Sequence, residues 1–205
     1  MIDGNTIGKN WQNQTEQKFK ELGLQIKHLE KRGGNNGRCI DFYIYRKSQY
    51  QNGFLCEVKS VNVAGFDSDI NAQISSKDEN FLSAISGRNK TSKIRGIEKH
   101  EYTYEHKRVI DKVKIDLDNA VSQFSQSDLA KFSINKNTKS FVVVFCFDFV
   151  IFPNQINFRE LLQGYPSVSS VLIPEGIQNS AKFKVYKNDS ATILFDDSFI
   201  RGVQQ

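Results

Sequence analysis

Cysteine and histidine are scarce in this chain. Three of each occur in 205 residues, and no spacing among them resembles a zinc site. An odd number of cysteines without a secretory signal points to free thiols in a reducing compartment. Cys56 and Cys146 lie inside apolar stretches and read as small core residues. His28, His100 and His106 are scattered and receive no chemistry. Long hydrophobic runs are missing too. The greasiest stretch, FVVVFCFDFVIF over Phe141–Phe152, contains Asp148 and is too short to cross a bilayer, so it reads as a buried strand. The opening MIDGNTIGKN holds no apolar signal region, and the expectation is a cytoplasmic protein with no membrane partner. Repeats, low-complexity tails and composition shifts are absent. A length of 205 residues then predicts one domain with a real core. Positive charge is in modest excess, +5 net, which permits a polyanionic partner without requiring one.

The stretch that organises the chain is Cys39–Ser60, CIDFYIYRKSQYQNGFLCEVKS. It predicts strands at Ile40–Tyr45 and Phe54–Ser60, joined through a polar run whose Asn52-Gly53 is a turn signal. Side chains alternate between faces along a strand. Ile40, Phe42 and Ile44 share one face with Phe54, Cys56 and Val58 opposite. Asp41, Glu57 and Lys59 then point out together on the other side. Two readings follow. A cross-strand salt bridge on a solvated face is worth only ~0.2–1 kcal/mol. Two carboxylates and an ammonium are also the groups that hold a hard divalent cation and steer a water at a phosphodiester.

Upstream, Asn10–Leu24 predicts a helix, with Trp11, Thr15, Phe19 and Leu22 at helical spacing and Gly23 able to end it. Glu16 sits near the edge of that stripe, either as a solvated carboxylate or as a third acidic ligand. Leu24–Glu30 predicts a strand. The loop KRGGNNGR, Lys31–Arg38, is glycine-rich and basic; it suits close approach to phosphate, with Arg38 as a contact, or plain solvation. After Ser60 a long irregular stretch runs to His106, with a short helix expected at Glu79–Ser86. Within it, Arg88, Lys90, Lys93 and Arg95 interleave with Gly, Ser, Thr and Asn, as a flap tracking a phosphate backbone does. Lys107–Phe124 is the clearest helix, with Val109, Val113, Leu117, Ala120 and Phe124 in one stripe. Ser140–Phe152 predicts a central strand apolar on both faces, ended by Pro153, with Asp148 as a satisfied buried polar group. Asn157–Gly164 predicts a short helix, and Val168–Ile173 a strand stopped by Pro174. Lys182–Tyr186 and Ala191–Phe195 alternate about KNDS and predict a hairpin.

This order, with Asp41 on one strand, Glu57-Val58-Lys59 on the next and Glu16 on the preceding helix, resembles the PD-(D/E)xK nuclease superfamily. It is most similar to the junction-resolvase and restriction-endonuclease branches. Ile40 stands where the motif's name has proline. The resemblance is strong over Gly8–Ser60 and topological up to Phe152. It implies an α/β fold, a restriction-endonuclease-like mixed central sheet flanked by helices. The αβββαβ core would cover residues 8–152, with a long insertion at 61–106 after the third strand and an extension at 153–205 holding a C-terminal β-hairpin, all in one nuclease-like domain. It also implies Asp41, Glu57, Glu16 and the Val58 carbonyl as ligands of Mg²⁺, with Mn²⁺ substituting and no small-molecule cofactor. Lys59 would position or activate water, DNA would be the partner, and a homodimer would act on duplex. The competing functions are a nuclease-fold DNA-binding subunit without catalysis and a structural domain carrying surface salt bridges.

Overall fold

Gly23 sets the first boundary. Its φ of +76° is the left-handed conformation that ends a helix, and its N–H closes on the Lys20 carbonyl at 2.9 Å. A computed structural model of the chain describes residues 4–29, 39–61, 99–147, 156–175 and 182–201. Helix α1 is Gly4–Glu21. Strands β1 (Leu24–His28), β2 (Phe42–Arg46) and β3 (Phe54–Val61) follow, then helix α2 (Lys99–Gln126), β4 (Phe141–Phe147), a short α3 (Phe158–Leu162), β5 (Ser170–Glu175) and β6 (Lys182–Lys187). The fold is α/β. The six strands make one mixed sheet in chain order, β1–β2–β3–β4–β5–β6. Pairs β1–β2, β2–β3 and β5–β6 are antiparallel, and β4–β5 is parallel.

The expected alternation decides what each face buries. Phe42, Ile44, Phe54, Cys56 and Val58 join Val142, Val144, Cys146 and Leu172 in one core, to which α1 adds Phe19. Trp11 and Leu22 pack against it, and Phe195 and Ile200 from the C-terminal segment close it. On the other face Phe141 stacks on Phe124 of α2 with centroids 4.7 Å apart, and Phe145 meets Phe158 of α3 at 6.0 Å. Strand β4 is therefore buried on both faces, as its unbroken apolar run predicts. Each such side chain stabilises by roughly 1.5–3 kcal/mol.

Several expectations are corrected. Helix α2 begins at Lys99, a full two turns before Lys107. Strand β5 continues through Pro174, which faces Phe183 across the β5–β6 pair. The hairpin expected within residues 182–195 is instead β5 with β6, and Ala191–Phe195 is not a strand. Asn188 explains the switch. Its buried amide donates to the carbonyls of Leu162, Tyr165 and Val168 at 2.8–3.0 Å, and Thr192 N–H bonds Pro166 at 2.8 Å. The chain after β6 is tied to the loop before β5 rather than folded back on β6, and Phe195 goes into the core.

The chain divides into two compact units. One is Met1–Ser60 with Ile115–Cys146 and Asn157–Gln205; the other is Val61–Lys114 with Phe147–Ile156. In the second, Val61, Val109 and Val113 are buried. The expected helix at Glu79–Ser86, the basic segment and Asp148 lie outside the described residues.

Candidate active site

The β2–β3 register brings the acidic residues together. Phe42 pairs with Cys56, so one step further Asp41 comes opposite Glu57. Side chains and main chain then lock reciprocally. Asp41 N–H donates to Glu57 Oε2 at 3.2 Å, and Val58 N–H donates to Asp41 Oδ2 at 2.8 Å. From the β1 side, Leu29 N–H donates to the Asp41 carbonyl at 2.9 Å. Lys59, two residues along the same face from Glu57, donates to Glu57 Oε1 at 2.6 Å and to the Gln123 side-chain oxygen on α2. Gln12 of α1 donates from Nε2 to Asp41 Oδ1 at 2.7 Å. Asp41, Glu57 and Lys59 are thus gathered as the alternation predicts.

The open face expected for them is corrected. Asp41 is 4% and Glu57 2% exposed, and the Lys59 side chain 16%. The C-terminal turns of α2 cover this face, with Phe124 on Phe141, Gln123 on Lys59, and Ser127 Oγ accepting from Ile40 N–H at 3.1 Å. Burial removes the solvated salt-bridge reading. Desolvating each ion costs several kcal/mol, so a buried charge cluster is weak evidence of stabilisation. Such clusters are where functional groups concentrate. Neighbouring thiols register the same environment. Burial pushes Cys56 well above the usual thiol range, and the charges of Asp41 and Glu57 add to that. Burial likewise pushes Cys146 up to about 12, against a hydrogen bond with Thr15. Both are protonated core residues.

Glu16 has partners of its own. Its carboxylate pairs with Lys20 Nζ at 2.6 Å and His28 Nε2 at 3.1 Å. Partial burial pushes its carboxyl up, but the Lys20 hydrogen bond and the His28 and Lys20 charges outweigh this and hold it below the ordinary value. The proposed DNA contacts Arg38, Arg88, Lys90, Lys93 and Arg95 lie outside the described residues.

The donor chemistry is limited to oxygen. Asp41 and Glu57 are hard oxygen donors, and among the described residues no group of three or more His, Cys, Asp or Glu forms a cage. Sequence reasoning missed Gln12, Gln123 and Ser127. A signal for the last two was present. Asp116, Ala120, Gln123 and Ser127 recur at helical spacing, and all are buried or half-buried, so a partly polar stripe flanks the apolar one. Gln123→Leu should leave Lys59 one acceptor short. We expect loss of roughly 1.5–3 kcal/mol, measured by urea unfolding, as for a hydrogen bond to a charged group.

No family model, curated protein or solved structure matches the chain.

Proposed function

We propose that this protein is a Mg²⁺-dependent DNA endonuclease of the PD-(D/E)xK type, with an αβββαβ core running from α1 to β4. One observation carries the reading: Asp41, Glu57 and Lys59 meet at a single buried point of the sheet, each held by hydrogen bonds to the others or to Gln12 and Gln123. Asp41 and Glu57, with the Val58 carbonyl, are the groups that would hold the metal. Bound there, Mg²⁺ would supply water activation and neutralise charge growing on the phosphate. Lys59 would do the rest. Two of its three N–H donors are committed, to Glu57 and Gln123, which leaves one for a water or a phosphate oxygen. Glu57 and Gln123 together fix the direction of the ammonium. One such site cuts one strand, so duplex cleavage calls for two copies acting together.

The test is nicking of supercoiled plasmid with Mg²⁺, with Mn²⁺ and with EDTA. Wild type should nick with either metal and not with EDTA. Glu57→Gln keeps the shape, removes the ligand charge and should lower the rate by at least about 10²-fold. No nicking by wild type, together with a mobility shift of DNA in Ca²⁺, would replace this reading with the non-catalytic DNA-binding subunit.

A further inference from the structure

Two residues of α1 lie one turn apart beside the sheet, Gln12 and Glu16. The acid is held by Lys20 and His28, and the amide reaches Asp41. We propose that Gln12 is the α1 member of the site, a neutral positioning residue that orients Asp41 toward a divalent cation. This rests on the reading of the site as a cation centre.

The aim of Gln12 is fixed by its neighbours. Thr15, three residues on, is buried with its hydroxyl 3.6 Å from Cys146 Sγ on β4. Phe19, seven residues on, is fully buried, stacked on Phe183 at 4.8 Å and edge-on to Phe54 at 5.9 Å. Trp11 packs against the same core. Positions 12, 15 and 19 form one face of the helix, so burying Phe19 and Thr15 turns Gln12 to the sheet end where Asp41 lies. The orientation of the amide follows from chemistry. An ionised carboxylate only accepts, so the nitrogen of Gln12 faces Asp41 Oδ1. Together with Val58 N–H on Oδ2, it ties both carboxylate oxygens of Asp41. A carboxylate held this way binds a metal without first losing rotational freedom.

Charge makes the idea separable from a structural hydrogen bond. Gln12→Glu keeps length and places a second carboxylate against Asp41. That repels in the absence of a cation and adds a ligand charge in its presence. Gln12→Ala removes the tether. The probe is Mn²⁺ alone, added to the full chain without DNA and followed by titration calorimetry and by melting temperature. Gln12→Glu should bind Mn²⁺ at least roughly 10-fold more tightly than wild type. It should also melt lower without metal and recover when Mn²⁺ is added. Gln12→Ala should bind about 10-fold more weakly, the usual loss when the partner of a ligand is removed. Glu16→Gln should bind as wild type does. Opposite shifts in the two Gln12 variants support the inference; a purely structural amide gives none. Wild-type affinity in Gln12→Ala, or weakening in Glu16→Gln equal to that in Gln12→Ala, overturns it while leaving the cation centre standing. Absence of Mn²⁺ binding by wild type overturns the cation centre and this inference together. If Gln12→Glu does not fold, the Gln12→Ala and Glu16→Gln comparison decides.

Discussion

Lys59→Met should abolish strand cleavage and destabilise the protein in the same step. The thioether fills the space of the lysine stem but carries no charge and no donor. Glu57, 2% exposed, would lose the ammonium 2.6 Å from its Oε1, and Gln123 would lose its donor. Breaking a buried pair from one side costs about 3–5 kcal/mol, because the surviving charge stays buried. For a chain of this size each kcal/mol moves the melting temperature by roughly 2–4 °C. Removal of a positioned proton-handling group costs about 10²–10⁴-fold in rate. The two losses are separable. Adding Glu57→Gln to Lys59→Met removes that buried charge, so the double variant should regain most of the stability and none of the activity. A coupling of this kind is what a double-mutant cycle measures. Lys59→Met retaining wild-type nicking would sink the active-site assignment. A double variant no more stable than the single would sink this account of the stability loss.

The part of this site legible in the sequence is the part written in a two-residue period. Alternation alone suggests that Asp41, Glu57 and Lys59 gather at β2 and β3, and hydrogen bonds link the three in the structure. The helix end at Gly23 and the twice-buried β4 were legible for similar reasons, since each depends on local conformation or on an unbroken apolar run. What could not be read depends on contacts between distant segments. Asp41 and Glu57 are buried among segments far apart in the chain, with α1 supplying a partner to Asp41 and α2 a partner to the Lys59 beside Glu57. Gln12 reaches Asp41 across 29 residues of chain and Gln123 reaches Lys59 across 64. An acid on a helix attracts a functional reading, whereas an amide one turn earlier does not. Glu16 has local partners as well, Lys20 and His28. The misplaced hairpin has the same origin. Residues 191–195 alternate well, but Asn188 and Phe195 have stronger partners elsewhere than a strand ladder provides.

Gly53→Ala should be the most damaging substitution outside the site, and it should reach the site through the register. The Asn52-Gly53 pair suggests a turn in which glycine supplies a left-handed conformation. Gly53 in fact has φ −71° and ψ 174°, extended backbone that any residue adopts. Glycine is needed there for space. A Cβ would stand 2.4 Å from the Ile44 carbonyl oxygen and 2.6–2.7 Å from the end of the Tyr43 ring. Neither neighbour can give way cheaply. Ile44 belongs to the β2–β3 ladder opposite Phe54, and Tyr43 is 1% exposed. The Tyr43 hydroxyl accepts from Gly53 N–H at 3.1 Å and donates to the Tyr50 carbonyl, so it pins the whole connection. Overpacking against such neighbours costs typically 1–3 kcal/mol, and two contacts this short put Gly53→Ala at about 3 kcal/mol or above. The melting temperature should fall by roughly 6–12 °C. Relief by sliding β3 one residue past β2 is closed off, because it would exchange Glu57 and Lys59 with Cys56 and Val58 between the two faces. The strain must therefore separate the strands near Ile44 and Phe54, three pairs from Asp41 and Glu57. Amide hydrogen exchange should speed up across Phe42–Ile44 and Phe54–Cys56, and nicking should weaken with it. An unchanged melting temperature with wild-type protection in both strands would show that the connection yields, and that the Asp41–Glu57 register is set elsewhere.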